Sequence, residues 1–368
     1  MAWLKNIVFS CLLIYLVLAA VIGTAALGFA LLEWRSTPGE TVVKLDASKV
    51  DLAPELEPYV MFGSPKNTTW HEVYMPAHEG DETPPTIALN EHRFRYGALD
   101  PAKPDGVRRI FMLGGSVVFY GHTNETTIAG YIEANLNAQG AQSAQVVNAG
   151  VTGYISDQEL VLLTTKVLDF SPDAVIVFDG FNDFLMPTSY GLQLGQPFKF
   201  DTLELAWYQS KDMLRRLAAQ PFHRHLLAGS HFMRRYSPHW SYVRFLRDEE
   251  LDQESNLPPP QPEAMANHLM NNWRKMAKQL EVYRIGGLFI LQPFSMSDSG
   301  DYDIQYDAVE AALPQLNADF AHCQPAVRFV SYRNVMSGKK AMFYDVVHTY
   351  DEGNQHYAEL IVRDLSQN

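Results

Sequence analysis

Five residues of this chain have the types and placement that ester chemistry needs: Ser116, Gly153, Asn182, Asp345 and His348. Ser116 follows Gly114-Gly115, and a serine on a glycine-flanked turn has a backbone N–H free to face a developing oxyanion. Its hydroxyl is a weak nucleophile until a neighbouring base takes the proton. A histidine supplies that base near neutral pH, and a carboxylate fixes its tautomer and stabilises the imidazolium. Asp345 and His348 stand three residues apart in a loop-like stretch, close enough for one to orient the other. Asn182 can donate a side-chain N–H to an oxyanion, and Gly153 a backbone N–H. Together these residues read as nucleophile, base, orienting acid and oxyanion donors for acyl transfer.

The elements that must position them can be read from short apolar runs. Residues 109–113, 144–148, 173–178, 287–291 and 327–331 read as buried strands. Helical stretches are expected at 127–138, 156–168, 263–284, 306–322 and 354–365. Strands alternating with amphipathic helices predict an α/β domain, a doubly wound parallel sheet with helices on both faces. In such sheets ligands bind outside the carboxyl ends of the strands. Ser116 follows the first expected strand, Gly153 the second, Asn182 the third, and Asp345 and His348 lie beyond the fifth. Each set is thereby delivered to one edge of the sheet.

In this arrangement the sequence resembles the SGNH (GDSL-type) serine hydrolases. Four blocks match in order over roughly residues 109–365: Gly-Gly-Ser116, Gly153, Asn182 in Gly-Phe-Asn-Asp, and Asp345-x-x-His348, whose continuation through Asn354 is also similar to the family's. The resemblance implies a flavodoxin-like α/β/α sandwich, with Ser116, His348 and Asp345 catalytic and Ser116, Gly153 and Asn182 forming the oxyanion hole. It implies ester hydrolysis or acyl transfer without a metal or other cofactor. Gly115 departs from the pattern, standing where many members have Asp. Each block alone is commonplace in structural turns; the ordered set carries the catalytic reading.

Composition narrows the class. The 368 residues are 47% hydrophobic and 19% charged, as in a folded globular protein, with a formal net charge of −13. An acidic body argues against nucleic acid as a partner, because that binding rests on Lys and Arg neutralising phosphates. The two cysteines, Cys11 and Cys323, show no CxxC pair or Cys/His ligand spacing, so no metal site is expected. There is no Gly-x-Ser-x-Gly elbow, and His71-Glu72 and His78-Glu79 lack the second histidine of a metalloprotease helix. His122 reads as a loop residue near Ser116, and residues 90–95 border the site without an evident role.

Residues 7–32 are 26 uncharged, largely apolar residues preceded by Lys5, and about 20 such residues span a bilayer. They predict an N-terminal transmembrane helix within an anchor of residues 1–34, with a cleaved signal peptide as the alternative. The anchored reading makes the chain a single-pass membrane protein whose catalytic body is extracytoplasmic. Residues 35–106 then form a proline-rich stalk and lead-in, and 107–368 the hydrolase domain. That domain is interrupted by a helical insertion at about 184–262, whose stretch 211–247 has eight Lys/Arg against one acidic residue, with interleaved aromatics. The expected substrate is an acylated glycan or lipid of the envelope. An O-acyltransferase acting on an exported polysaccharide and a non-catalytic glycan-binding accessory are the alternatives. Protein partners are not indicated.

Overall fold

In the computed structural model, residues 55–70, 86–140, 142–198, 258–295 and 302–366 are described. All belong to one unit of the chain, 46–200 with 254–368; a second unit, 1–45 with 201–253, lies outside them. The lead-in contributes two antiparallel hairpins, β1 Glu55–Glu57 with β2 Met61–Gly63 and β3 Thr68–Trp70 with β4 Ile87–Leu89. The sequence reads this region as irregular, because strands of three residues are too short to show an alternating pattern. The expected membrane helix, residues 35–54 and 71–85 of the stalk and lead-in, and the basic stretch 211–247 lie outside the described residues. Among the described residues no helix is long and apolar enough to cross a membrane.

The domain proper then runs β5 Val107–Gly114, α1 Ser116–Phe119, α2 Ile128–Gln139, β6 Ser143–Asn148, α3 Ser156–Thr165, β7 Ala174–Asp179 and α4 Phe181–Ser189. After the insertion come α5 Pro262–Tyr283, β8 Gly286–Leu291, α6 Asp303–Asp319, β9 Val327–Ser331 and α7 Asp351–Leu365. The five longer strands form one parallel sheet in the order β6-β5-β7-β8-β9. This is the 2-1-3-4-5 order of the flavodoxin-like doubly wound fold, in which the chain leaves the first strand in opposite directions on its two sides. Helix α2 packs against α7 on one face, and α5 packs against α3 and α6 on the other, as the right-handed rule for parallel crossovers leads one to expect.

The core follows from the strands' period of two. Phe178 on β7 points toward Tyr357 of α7, whereas the next residue, Asp179, points toward α5 and accepts a hydrogen bond from Trp273 Nε1 at 3.0 Å. Trp273 is fully buried against Phe289 and Phe329, which stack at 4.8 Å. Each such side chain contributes roughly 1.5–3 kcal/mol by burial. Helix α3 stops earlier than its apolar pattern predicts. Lys166 leaves helical geometry there, and its ammonium reaches Glu57 at 2.8 Å, so the chain continues as a 3₁₀ turn, Val167–Phe170.

Candidate active site

Strand β5 ends at Gly114, whose φ of +157° brings its α-carbon so close to Val118 and the Phe178 carbonyl that a Cβ would collide with both. The chain turns there and enters α1 with Ser116 as its first residue. The serine is 9% exposed. The turn lies at the carboxyl ends of β5 and β7, the switch point of this strand order.

Asp345 and His348 reach it from the loop between β9 and α7. His348 Nε2 is 2.7 Å from Ser116 Oγ, and Nδ1 is 2.6 Å from Asp345 Oδ2. The other carboxylate oxygen, Oδ1, accepts the backbone N–H groups of Val347 at 2.8 Å and His348 at 2.7 Å. Burial raises the Asp345 pKa, but the His348 ring and those two N–H groups outweigh it, leaving the carboxyl below its ordinary value. The imidazole stacks on Tyr344 at 5.6 Å and meets the Tyr120 ring edge to face at 5.5 Å, which fixes its plane. The Val346 carbonyl accepts Ser295 N–H at 2.6 Å, pinning the loop to the end of β8.

The two remaining candidates come in on the loop after β6, which carries Gly153, and on the first turn of α4 after β7, which carries Asn182. Val151 N–H donates to the Gly114 carbonyl at 3.0 Å, docking the 150–154 loop onto the serine turn. Gly153 adopts φ +79°, which favours glycine. Asn182 Nδ2 donates to the Tyr154 carbonyl at 2.7 Å, so one amide N–H locks the side chain and the second remains for another acceptor. A Cβ on Gly115 would lie 2.5 Å from that nitrogen. Gly115 is thus the residue that Asn182 packs against.

Three residues that support the site were not evident from sequence. A short helix leaves its last carbonyls without partners, and here buried side chains from three separate segments take them. Asn148 donates to the Val118 carbonyl at 2.7 Å. Arg95, 1% exposed, donates to Phe119 at 2.5 Å and Gly121 at 2.8 Å. Asn354 donates to Tyr120 at 3.1 Å. Burial lowers the pKa of Arg95, and the Asp351 and Glu125 charges oppose it. The signal was the polar 90–95 segment ahead of the first core strand, which has a role only once its carbonyl partners are known.

Beneath Asn182 lie three buried acids. Asp183 accepts from the Ser156 hydroxyl at 2.5 Å and backbone N–H at 3.2 Å, anchoring the start of α3. Asp179 is held by Trp273, and Glu159 Oε2 has no hydrogen-bond partner. Burial pushes all three pKa values well up, and their mutual repulsion adds to it. A cavity of about 230 Å³ flanks the histidine loop, lined by Phe294, Phe343 and Met336 with Arg333 and Lys340 at its polar side. The backbone N–H of His122 donates to Asp351 at 3.0 Å, so that residue braces the start of α7. His71, Glu72, His78 and Glu79 lie outside the described residues.

No protein-family model and no curated protein matches this chain. Among solved structures it is similar to a lipase/acylhydrolase from Enterococcus faecalis, at 15% identity and a TM-score of 0.43, over 71% of this chain and 96% of that one. An acetyl xylan esterase matches at 14% identity and 0.44, covering 70% and 99%. An acetylxylan esterase from Geobacillus stearothermophilus matches at 12% and 0.44, covering 70% and 94%.

Proposed function

We propose that this protein is a serine esterase of the SGNH type, in which Ser116, His348 and Asp345 carry out acyl transfer. The reading rests on one observation, the unbroken hydrogen-bonded chain from Asp345 through His348 to Ser116 Oγ. In the reaction Ser116 Oγ attacks the ester carbonyl carbon while His348 Nε2 takes its proton. Asp345 holds Nδ1–H and stabilises the imidazolium. The carbonyl oxygen, now an anion, is met by the N–H groups of Ser116 and Gly153 and the free N–H of Asn182. Collapse breaks the bond to the leaving oxygen, which receives the proton from His348 Nε2. Water then loses a proton to His348 and attacks the acyl carbon; the bond to Ser116 Oγ breaks, Oγ takes that proton back from His348, and the acid leaves.

The substrate in this reading is an acyl ester, acetyl foremost, on a glycan or lipid of the cell envelope. Its support is residues 7–32, which would hold the domain at a membrane with its body outside the cytoplasm. An acceptor hydroxyl in place of water in the last step would make the same residues an acyltransferase.

The test is hydrolysis of p-nitrophenyl acetate by the full-length chain in mild detergent, beside Ser116→Ala and His348→Ala variants with unchanged circular dichroism. Both variants are expected to lose roughly 1,000-fold or more of the turnover. Undiminished activity in Ser116→Ala would sink the scheme. An inactive parent that transfers acetyl from a donor to a sugar hydroxyl would assign the transferase reaction instead.

A further inference from the structure

The helices of a parallel sheet run back from the carboxyl ends of the strands, so α5 and α6 end at the sheet edge remote from Ser116. Three side chains with metal-ligating atoms meet there: Glu281 on the last turn of α5, and His322 and Cys323 on the turn between α6 and β9. His322 Nε2 and Glu281 Oε1 are 2.8 Å apart, and these two atoms and Cys323 Sγ all lie within 4.8 Å of one another. We propose that Glu281, His322 and Cys323 bind one zinc ion, with water completing the coordination.

The geometry asks for little movement. Zinc bonds of about 2.0–2.3 Å at tetrahedral angles separate ligand atoms from one another by roughly 3.3–3.8 Å. The ring and carboxylate are already closer than that, and the sulfur is within reach, so side-chain rotation suffices. A short turn, in which Cys323 N–H donates to the Phe320 carbonyl at 3.0 Å, holds the two consecutive ligands in place. The donor set also selects the ion. One thiolate, one imidazole and one carboxylate suit zinc, whereas magnesium and calcium take oxygen almost alone. The two anionic ligands balance the ion's charge, and the neutral imidazole adds none.

Cys323 is buried while Glu281 and His322 are exposed, so an ion arriving from solvent meets the carboxylate and ring first and the sulfur behind them. Only the thiolate ligates zinc, so binding releases the thiol proton into solution and strengthens as pH rises. Glu281 lies 41 residues before His322, which is why no local spacing announces the site. The ion would clamp the end of α5 to the entry of β9. A strand length, on the order of 20 Å, separates it from Ser116, and it takes no part in the ester reaction.

The experiment strips the full-length chain with a chelator and titrates it with cobalt(II), following the thiolate-to-cobalt charge-transfer absorption, then displaces cobalt with zinc. The expected result is a band that saturates at one equivalent and is lost on adding zinc. It persists in Cys11→Ser, which removes the other cysteine, and disappears in Cys323→Ser. His322→Gln and Glu281→Gln, both at exposed side chains, each weaken zinc binding by about tenfold or more. Esterase turnover is the same with and without zinc. Absence of the band in the parent chain, or undiminished affinity in either the His322 or the Glu281 variant, overturns the proposal. Both results are independent of whether Ser116 is a nucleophile.

Discussion

Thr349 Oγ1 donates a hydrogen bond to Asn354 Oδ1 at 2.9 Å, and the Asn354 amide nitrogen donates in turn to the carbonyls of Tyr120 and Thr126, both at 3.1 Å. The residue after His348 and the segment after the Ser116 helix therefore share one buried side chain. His348 and Ser116, 232 residues apart in sequence, are kept in register through that amide.

Replacing Asn354 with Asp turns its donating nitrogen into an oxygen that faces two carbonyls. The expected cost is about 1–3 kcal/mol of stability for the buried groups left unpaired, measured by urea denaturation. Turnover is expected to fall roughly 10- to 100-fold through misplacement of His348, with KM little changed. Asn354→Asp with parental turnover would show that the coupling does not reach the site.

Asp345→Asn should be severe for a reason the hydrogen bonds make explicit. Oδ1 is committed to the N–H groups of Val347 and His348, so the new amide nitrogen takes the place of Oδ2 and donates to His348 Nδ1. Nε2 is then protonated and cannot accept from Ser116. Turnover is expected to drop roughly 10,000-fold while the fold is retained, as read by steady-state hydrolysis and circular dichroism.

Gly115→Ala places a methyl group 2.5 Å from Asn182 Nδ2, and the amide must give way. In the proposed scheme Asn182 is one oxyanion donor, so the loss should approach that of Asn182→Ala, roughly 100- to 1,000-fold in turnover. The double variant should be no worse than either single one. Additive losses in the double variant would separate the two residues.

The buried acids set a pH dependence of stability with a definite sign. Glu159, Asp179 and Asp183 have folded pKa values raised above their unfolded ones, so the native state binds more protons. Their contribution is fully present below the ordinary carboxyl range and is lost as pH rises through the raised folded values. Glu159→Gln mimics the protonated form at every pH. Its stability relative to the parent should improve with rising pH by up to about 1.4 kcal/mol per pH unit within that window. Denaturation midpoints at a series of pH values test this, and parallel curves for the two proteins would refute it.

The sheet was legible because each core strand is a short, nearly continuous apolar run closed by a turn, as in the stretch from Arg109 to Gly114. Ser116, Asp345 and His348 were legible because their blocks follow in order along the chain, although each block alone is commonplace. Arg95, Asn148 and Asn354 were not, since a polar residue that caps a distant carbonyl has no local signature. Glu159 has no local signature of its burial either, yet on its helix it is 1% exposed. Helix α6 begins three residues earlier than the sequence pattern predicts and ends three earlier, which leaves His322 and Cys323 on a turn.

Tyr154 joins two things that look unrelated. Its carbonyl holds the Asn182 amide, and its hydroxyl donates to the Phe62 carbonyl at 2.7 Å, at the second lead-in strand. Gln158 grips the Val60 carbonyl at 2.8 Å, and Lys166 grips Glu57. The lead-in from Glu57 to Phe62 is therefore moored in part on the same residue that holds the Asn182 amide. A mechanical load applied from the N-terminal side would be taken up by Lys166 at Glu57, then by Gln158 at Val60 and Tyr154 at Phe62, before it reached the sheet. A protease cut ahead of this mooring should leave the enzyme's kinetics intact, whereas one just beyond Phe62 should slacken the site while most of the core stays folded.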